Sequence, residues 1–389
     1  MNNNIENSFQ SILRKVAFII SEAVSSQNSF ALYRLPNSDH FTLIVGQALN
    51  GPFLDDLNSN TGFSFVPFNS NEESSAVLIK CLQKYEFTLV NEGDLQLLNN
   101  ICKQSVNCDF SKLHYVTYVN NKSTSKPAYI SLVDSGIKHI NNSSFRKVVL
   151  AKQTTEEFKQ HKLLLSNYFK MAQEYPNTLA SFVSIYEIGT WLTATPEILV
   201  SVNKDKVFKT VALAGTQKRT VENLKDALWS QKEIEEQSFV SKYVINCFKK
   251  IRVREYDDIG PKTVPAGKLL HLRTDFYVNL NEVEYPDMAQ TMLGLLHPTS
   301  AVCGMPKEGA KTFILKNEDF NREYFSGFLG PVNINGETHQ YVNLRCAQVF
   351  KDSIRYYAGA GITEDSVAEK EWEETEMKIN TLRSIFGNQ

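Results

Sequence analysis

The order of strand-like and helix-like segments is the feature that most restricts how this chain can fold. Short apolar runs with strand spacing mix with long amphipathic helices, but the two types do not alternate regularly. A doubly wound parallel sheet needs that alternation, so the pattern favours an α+β fold built in layers. We predict strands at Phe30–Arg34, Phe41–Val45, Tyr115–Val119, Lys147–Ala151, Leu179–Tyr186, Trp191–Ala194, Val207–Val211 and Leu269–Leu272, and helices at Thr155–Glu174, Val221–Ile251 and Ser366–Phe386.

No repeat or low-complexity linker divides the 389 residues into separate domains. A chain of this length has room for two or three domains, but its loops rich in Asn and Ser look internal to one body. Residues 1–140 form a more irregular, strand-rich part, and residues 141–389 carry the denser signals. We therefore expect two parts of one fold.

The charge balance excludes several classes of partner. The chain has 41 basic and 43 acidic residues, a net charge of −2, and no run of like charges. Nucleic acids and anionic membranes require a sustained basic patch, so we expect neither as a partner. The apolar stretch Val16–Ile20 is too short to span a bilayer, and the polar N-terminus is unlike a secretory signal. Scattered cysteines and histidines, without a Cys-x-x-Cys pair, indicate reduced thiols in the cytoplasm and no zinc site.

Two glycine-rich segments invite comparison with nucleotide-binding loops, but neither fits. In Gly304–Thr312, Ala310 separates the second glycine from the lysine, so the P-loop spacing is wrong. Tyr357–Gly361 lacks the third glycine of a dinucleotide fingerprint and follows no clear βαβ unit. We therefore predict no nucleotide site.

Carboxylates continue the apolar stripes of two predicted helices. On the first helix, a step of four residues back from the stripe reaches Glu236; the stripe consists of Val240, Val244, Cys247 and Ile251. On the C-terminal helix, the stripe continues backwards into charged residues, in the order Ile385, Leu382, Lys378, Glu374 and Glu371.

These stripes allow two interpretations. Glu374 and Lys378 have the spacing of a helix-stabilising ion pair, and such pairs usually face solvent. Carboxylates that point inward must instead be protonated, paired or bound to a metal, because burying a bare charge is costly. Mg²⁺, held by one or two carboxylates with water and ligand oxygens, fits the second interpretation.

Three further residues are ambiguous by themselves. Arg345 lies on the predicted strand Tyr341–Phe350, where an arginine is usually solvated, although a guanidinium also matches a ligand carboxylate. Lys147, at the start of a strand, is equally consistent with a lysine that extends into solvent. His297 is equally consistent with a loop histidine whose hydrogen bonds are satisfied.

Seven segments nevertheless resemble, in the same order, the chorismate-utilising enzymes. This family includes isochorismate synthases, salicylate synthases and the large subunits of anthranilate and aminodeoxychorismate synthases. The segments run from about residue 141 to the C terminus: Lys147–Ala151, Thr195–Leu199, Ala212–Thr216, Leu296–Thr299, Arg322–Gly327, Val342–Arg345, and Tyr357–Gly361 followed by Glu371–Thr375 and Lys378. The resemblance implies a single large domain of layered, mostly antiparallel sheets wrapped by helices.

The resemblance also implies a metal site. Glu236 and Glu374 would bind Mg²⁺, and Glu371 would support them through the waters of the metal. Gln237 stands where many relatives have a histidine after the ligand, so the choice of ligand among Glu233, Glu235 and Glu236 depends partly on the helix stripe.

The implied substrate is chorismate, and its binding groups come from several motifs. The amides of Gly215 and Thr216, together with Lys378, would bind the ring carboxylate. Arg345 and the backbone of Gly361 would bind the pyruvyl carboxylate. His297 would lie beside the ring. Phe325 replaces a tyrosine that is common in relatives, which removes one hydroxyl contact.

The resemblance assigns the reaction through Lys147 and Glu197. Family members that deliver ammonia typically have glutamine at the position of Lys147, whereas members that add water have lysine. Ala214 stands where the aminodeoxychorismate type has a nucleophilic lysine. A neutral Lys147 would take a proton from water, and Glu197 would protonate the departing 4-hydroxyl group. We therefore expect an isochorismate synthase that acts as a monomer without a glutaminase subunit.

Other activities remain open at the level of the sequence. Salicylate synthase shares the lysine and goes on to eliminate pyruvate, and anthranilate synthase is a less favoured member of the same family. A chorismate-binding subunit without activity is the alternative from another class. The combination of acid, base and metal ligands argues against it, because a protein that only binds does not need all three.

Overall fold

The computed structural model describes residues 2–51, 57, 59–69, 76–89, 110–117, 122–218, 224–266, 269–285 and 287–387. The described helices are α1 Asn2–Ser25, α2 Lys126–Asn141, α3 Leu164–Glu174, α4 Gln231–Lys250, α5 Met288–Leu296, α6 Lys307–Asn317 and α7 Ala368–Phe386. The described strands are β1 Ser29–Arg34, β2 His40–Gly46, β3 Ala48–Asn50, β4 Gly62–Val66, β5 Val77–Lys80, β6 Gln83–Thr88, β7 Lys147–Glu157, β8 Leu179–Ile185, β9 Gly189–Thr195, β10 Ile198–Val202, β11 Val207–Lys218, β12 Asp257–Ala266, β13 Leu269–Asn279, β14 Gly304–Met305, β15 Phe328–Val332, β16 Thr338–Val342, β17 Cys346–Val349 and β18 Ser353–Ile362.

Two nine-stranded sheets form the centre of the fold. Sheet A has the order β14-β7-β18-β17-β9-β8-β1-β2-β6, and sheet B has the order β12-β13-β11-β10-β16-β15-β4-β5-β3. All pairings between these strands are antiparallel. The prediction of an α+β fold with mostly antiparallel layers is confirmed.

The two sheets pack face to face, and helices cover their outer faces. Between the sheets, Trp191 of sheet A stacks on Tyr357 and meets the edge of Phe65 from sheet B, with ring centroids 5.5 and 5.7 Å apart. Full burial of a side chain such as Phe65 contributes about 1.5–3 kcal/mol. Helices α1, α3 and α7 cover sheet A, α4 and α5 cover sheet B, and α2 and α6 pack on β7 and β18.

The apolar stretch near the N terminus belongs to α1. Ile12, Val16 and Ile20 follow one another at steps of four residues, are fully buried, and pack on the outer face of sheet A. This spacing is that of one face of a helix. Among the described helices, none combines the length and apolar character needed to cross a bilayer.

The two parts expected from the sequence share both sheets. The first 140 residues provide β1, β2 and β6 to sheet A, and β3, β4 and β5 to sheet B. The boundary at residue 140 therefore separates two stretches of sequence that fold into the same layers. The first stretch also contains α1 and most of α2, which the description as strand-rich missed.

Two predicted helices begin later than expected. The helix predicted from Thr155 begins at Leu164, because β7 continues to Glu157 and pairs along the whole of β18. Of the helix predicted from Val221, residues 221–223 lie outside the described part of the chain, and the described helix begins at Gln231. There, a capping box closes the helix start: the amide of residue 230 donates to the side chain of residue 233 at 2.9 Å.

The predicted strand Tyr115–Val119 is not confirmed. Residues 115–117 have no regular secondary structure, and residues 118 and 119 lie outside the described part of the chain. The predicted strand at residues 341–350 is divided between β16 and β17, and the other predicted strands are confirmed, several of them longer than the sequence indicated.

Candidate active site

A cavity of about 190 Å³ lies where sheets A and B meet the first turns of α4 and α7. Its wall is partly apolar and includes Val149, Val302, Phe325, Leu344 and Tyr357. Nine of the eleven residues predicted for the site line this cavity: Lys147, Glu197, Gly215, Glu236, Arg345, Gly361, Glu371, Glu374 and Lys378. The fold thus brings together residues from three strands, two helices and two connecting segments.

The predicted continuation of two apolar stripes into the cavity is confirmed. On α4, Glu236 lines the cavity one turn before the buried residues Val240, Val244 and Cys247. On α7, the buried Leu382 and Ile385 are preceded on the same face by three residues that line the cavity: Lys378, Glu374 and Glu371. A helix period of 3.6 residues explains why one face can serve the core at one end and the cavity at the other.

Lys378 is fixed by two contacts within the cavity. Its Nζ lies 2.7 Å from Glu374 Oε1 and donates a hydrogen bond to Gly359 O, also at 2.7 Å. Both side chains line the cavity and remain 28% and 33% exposed, so the pair lies at the cavity wall within reach of solvent. The pair therefore places an ammonium group and a carboxylate next to each other at the wall of the cavity.

Lys147 and Glu236 form an ion pair. Lys147 Nζ donates to Glu236 Oε1, and the Gly215 amide donates to Oε2 at 3.2 Å. Gly215 has a φ of 68° and lies at a bulge in β11, which directs its amide away from the strand ladder. Burial raises the pKa of Glu236, but the charge of Lys147 and these hydrogen bonds lower it, and its net pKa lies below the usual value.

Gly361 provides the space for the Lys147 amine. A Cβ at this position would lie 3.1 Å from Lys147 Cε and 3.5 Å from Nζ. Gly361 pairs with Val149 in the ladder between β18 and β7, so it lies directly beside the strand that starts at Lys147. The predicted contact of its backbone with a substrate carboxylate stays a prediction.

Glu197 lines another part of the cavity, in the connection between β9 and β10. Its carbonyl accepts a hydrogen bond from the Val342 amide at 2.9 Å, which fixes the backbone, and its side chain is 8% exposed. Burial raises the pKa of Glu197 to about 7, although the charges of Lys147 and Lys378 oppose this rise. A carboxyl that retains its proton near neutral pH is suited to act as a general acid.

Arg345 is not on a strand, which corrects the prediction for residues 341–350. The chain passes there from β16 of sheet B to β17 of sheet A, and Arg345 lies in the connection with a φ of 47°. Its carbonyl accepts a hydrogen bond from the Ala194 amide at 3.0 Å. Burial lowers the pKa of Arg345, while Tyr175 and Glu197 raise it. The guanidinium lines the cavity, where it is available to a carboxylate.

His297 is not among the residues that line the cavity. Its Nε2 lies 3.0 Å from Pro67 O, its ring packs against Phe328, and burial lowers its pKa to about 4. The interpretation as a satisfied loop histidine therefore holds, and the predicted contact with a substrate ring is not supported. The backbone of Thr216 pairs with His271, but the side chain of Thr216 lies outside the described part of the structure.

His271 lines the cavity, although the sequence did not single it out. Its Nδ1 lies 3.1 Å from Gly215 O, and burial, together with the charge of Arg345, lowers its pKa to about 4. It lies on β13 between Leu270 and Leu272, so strand alternation places it on the opposite face from these leucines. That alternation was the available signal.

A buried ion pair supports one wall of the cavity. Arg322 donates from Nε and Nη2 to Glu318 at 2.7 and 2.5 Å, and both side chains are 2% exposed. Arg322 also donates to the carbonyls of Val149 and Val302, at 2.7 and 2.8 Å, and these two residues line the cavity. The pair therefore ties β7 to the segment before β14.

The carboxylates of the cavity match the donor preference of Mg²⁺. Glu236, Glu371 and Glu374 supply oxygen atoms, which are the ligands that this hard cation prefers. In the described part of the chain, no three acidic, histidine or cysteine side chains lie close enough to form a metal site alone. Mg²⁺ usually retains several waters and needs only one or two carboxylates, so the donor set fits it.

Comparison with known proteins leads to one family. Residues 68–387 match the model of the family described as chorismate binding enzyme. The isochorismate synthase EntC of Escherichia coli K12 is 30% identical over 224 residues, which are 56% of this chain and 56% of that protein. The isochorismate synthase DhbC of Bacillus subtilis is 31% identical over 274 residues, 67% of each chain. The chain thus spans only about half the length of the first relative.

Solved structures show the same fold. The structure of MenF, the menaquinone-specific isochorismate synthase from Escherichia coli, has a TM-score of 0.71 at 22% identity, covering 94% of this chain and 91% of that chain. Anthranilate synthase component I from Streptococcus pneumoniae has a TM-score of 0.66 at 19% identity, covering 92% and 90%. Since the family model spans most of its length, this chain belongs to the chorismate-binding enzyme family.

Proposed function

We propose that this chain is an isochorismate synthase, which adds water at C2 of chorismate and releases the C4 hydroxyl group with Mg²⁺ as cofactor. The observation that carries the proposal is that Lys147 and Glu197 line one cavity together with the carboxylates Glu236 and Glu374. Isochorismate synthases among the relatives, at 30 and 31% identity, support the same reaction.

The cavity offers complementary groups to a ring that carries two carboxylates. Arg345 and Lys378 are cations that would bind the two carboxylates, and Phe325 and Leu344 provide apolar surface for the ring. When bound by Glu236 and Glu374, Mg²⁺ would neutralise and orient the ring carboxylate.

Two proton transfers complete the reaction. Lys147 takes a proton from the attacking water as the bond to C2 forms, and Glu197 gives a proton to the C4 oxygen as that bond breaks. The ring double bonds shift between these positions, so that one water enters and one leaves. Lys147 acts as a base only as the neutral amine, so its ion pair with Glu236 must first be broken. Glu197, with its pKa raised to about 7, still carries the required proton near neutral pH.

Two residues favour hydration over amination. Lys147 stands at the position where family members that use ammonia typically have glutamine. Its side chain lines the cavity. Ala214, which replaces the nucleophilic lysine of the aminodeoxychorismate type, also lines the cavity and has no group that could attack the ring. The pathway served, menaquinone or siderophore synthesis, follows from neither residue.

Product identification tests the proposal. Purified protein is incubated with chorismate and Mg²⁺, with and without EDTA, and the products are separated and identified by NMR. We expect isochorismate in the presence of Mg²⁺ and none with EDTA. Salicylate with an equal amount of pyruvate would instead establish salicylate synthase, and anthranilate that forms only with ammonia would establish anthranilate synthase.

A further inference from the structure

A second, much smaller cavity lies next to Glu197. Its volume is about 10 Å³, and its lining includes Glu197, Tyr243, Thr299 and Ser300. Glu197 also lines the main cavity, so its side chain stands between the two spaces. We call the smaller space the rear cavity.

Two hydroxyl groups at the rear cavity lack a hydrogen bond of regular geometry. Ser300 is 3% exposed, and neither its Oγ nor the Oγ1 of Thr299 makes a hydrogen bond within the described residues. The other hydroxyls of the lining are already used as donors: Tyr243 donates to Leu295 O at 2.6 Å, and Thr210 donates to Leu199 O at 2.7 Å. The unsatisfied polar atoms are therefore concentrated beside Glu197.

The energetics of buried hydroxyls favour a bound water here. A buried polar group that lacks a partner costs about 1–3 kcal/mol, and native proteins usually satisfy such groups with protein atoms or ordered water. A space of about 10 Å³ is at the lower limit for one water molecule. Such a water needs two to four polar partners, and Ser300, Thr299 and the Glu197 carboxyl provide three.

We propose that the rear cavity binds one water molecule, which hydrogen-bonds to Glu197, Thr299 and Ser300 and thereby fixes the orientation of the Glu197 carboxyl. Its functional meaning rests on the proposed function, in which Glu197 is the general acid. Ser300 and Thr299 are then positioning residues that act on the acid through the water. The substrate needs no contact with either residue.

The charged groups around Glu197 agree with this role. The cations of the main cavity that lower its pKa are Lys147, Lys378 and Arg345, and the Thr299 hydroxyl also lowers it. The Thr299 hydroxyl lowers this pKa as a hydrogen-bond donor would, so it lies close to the carboxyl, but the contact lacks the geometry of a complete hydrogen bond. A bridging water would complete the connection between the two groups.

Crystallography and infrared spectroscopy of the unliganded protein test the proposal. We expect ordered density within hydrogen-bond distance of Ser300 and Glu197 in the wild type, and loss of that density in Ser300→Val, whose side chain fills the space. The C=O stretching band of protonated Glu197, identified by its absence in Glu197→Gln, should move to higher frequency in Ser300→Val because it loses a hydrogen bond. The kcat of Ser300→Val should fall about tenfold with little change in KM, since a misplaced acid affects the chemical step.

Ser181→Val is the matched control. Ser181 is fully buried, its hydroxyl also has no partner within the described residues, and it lines neither cavity. The control should leave the Glu197 band unchanged. If Ser300→Val does not fold, Ser300→Ala removes one partner of the water and should shift the band in the same direction by a smaller amount.

Two results would overturn the proposal: no ordered water in the wild type, or an unchanged Glu197 band in both Ser300 variants. These measurements need no substrate, so they separate this proposal from the proposed function. A water at this place in a protein that does not convert chorismate would contradict only the isochorismate synthase assignment. Isochorismate formation without the water would contradict only the role of the rear cavity.

Discussion

The pKa values of two glutamates in the cavity, Glu236 and Glu197, are shifted in opposite directions. Glu236 contacts the Lys147 amine and the Gly215 amide, and its pKa is lowered. Glu197 is buried, forms no ion pair within the described residues, and its pKa is raised to about 7. The same side chain therefore serves as a stable carboxylate at one place and as a protonated acid at another, because local partners decide between these states.

This difference separates the cavity into two regions with distinct requirements. The region of Lys147 depends on paired charges and on strand β7, whereas the region of Glu197 depends on burial and on the absence of a close cation partner among the described residues. Each of the following substitutions acts mainly on one of these regions.

The largest expected effect follows from removing the proposed base or the proposed acid. Lys147→Ala and Glu197→Gln should each lower kcat by about 10²- to 10⁴-fold, the range for a general acid or base, with a small change in KM. Steady-state kinetics with chorismate measure this. The exposed Lys138→Ala and Glu255→Gln provide matched controls and should retain activity. Full activity of Lys147→Ala would remove the basis for choosing water addition over amination.

The buried ion pair behind the Lys147 region gives the next largest effect. Arg322→Leu leaves Glu318 buried without its partner and should lower the free energy of unfolding by about 3–5 kcal/mol, measured by urea denaturation. The double variant Arg322→Leu, Glu318→Leu should recover part of this loss. The titration of Glu197 should change little, because its pKa depends on burial and on Lys147, Lys378, Thr299 and Arg345 rather than on this pair. A larger loss in the double variant than in the single one would contradict the buried-charge argument.

Burial of Glu197 should make the folded protein less stable at high pH. A carboxyl whose pKa rises from 4.5 to about 7 on folding binds its proton more tightly in the folded state, so stability falls as the pH rises between these values. The loss amounts to at most about 3 kcal/mol. The free energy of unfolding of Glu197→Gln minus that of the wild type should therefore increase from about pH 5 to pH 7. Above pH 7 this difference should remain constant. A constant difference from about pH 5 to pH 7 would show that the pKa is not raised.

The smallest effect is expected from crowding the Lys147 amine. In Gly361→Ala, the new Cβ would lie 3.1 Å from Lys147 Cε, and the flexible lysine should move to relieve this contact. We expect about a tenfold decrease in kcat from the misplaced amine. Gly294→Ala is the control, since no atom lies within 4 Å of its added Cβ. Equal kinetics for the two variants would argue that the position of the amine is not critical.

The stripes on α4 and α7 were predictable from the sequence because a helix repeats its faces with a fixed period. The apolar residues Val240 and Leu382 define the buried faces, and counting back along each face reaches the acidic residues of the cavity. The role of Lys147 could not be obtained this way. A lysine at the end of a strand gives no local signal, so only the resemblance to a known family singled it out.

Other features could not be predicted because tertiary contacts decide them. Apolar alternation looks the same when the chain passes from one sheet to the other, so the connection that holds Arg345 was taken for a strand. His297 and His271 both lie beside leucines, and only the folded chain shows which of them lines the cavity. The rear cavity depends on how Ser300 packs against Glu197, two residues that are about a hundred positions apart.

Isotope incorporation tests the central claim most directly. The protein is incubated with chorismate and Mg²⁺ in H₂¹⁸O, and the isochorismate formed is analysed by mass spectrometry and NMR. If Lys147 activates a water molecule from solvent, the oxygen at C2 of the product carries the ¹⁸O label. Isochorismate without label would contradict water addition, and an amino or salicylate product would contradict the assignment of the reaction.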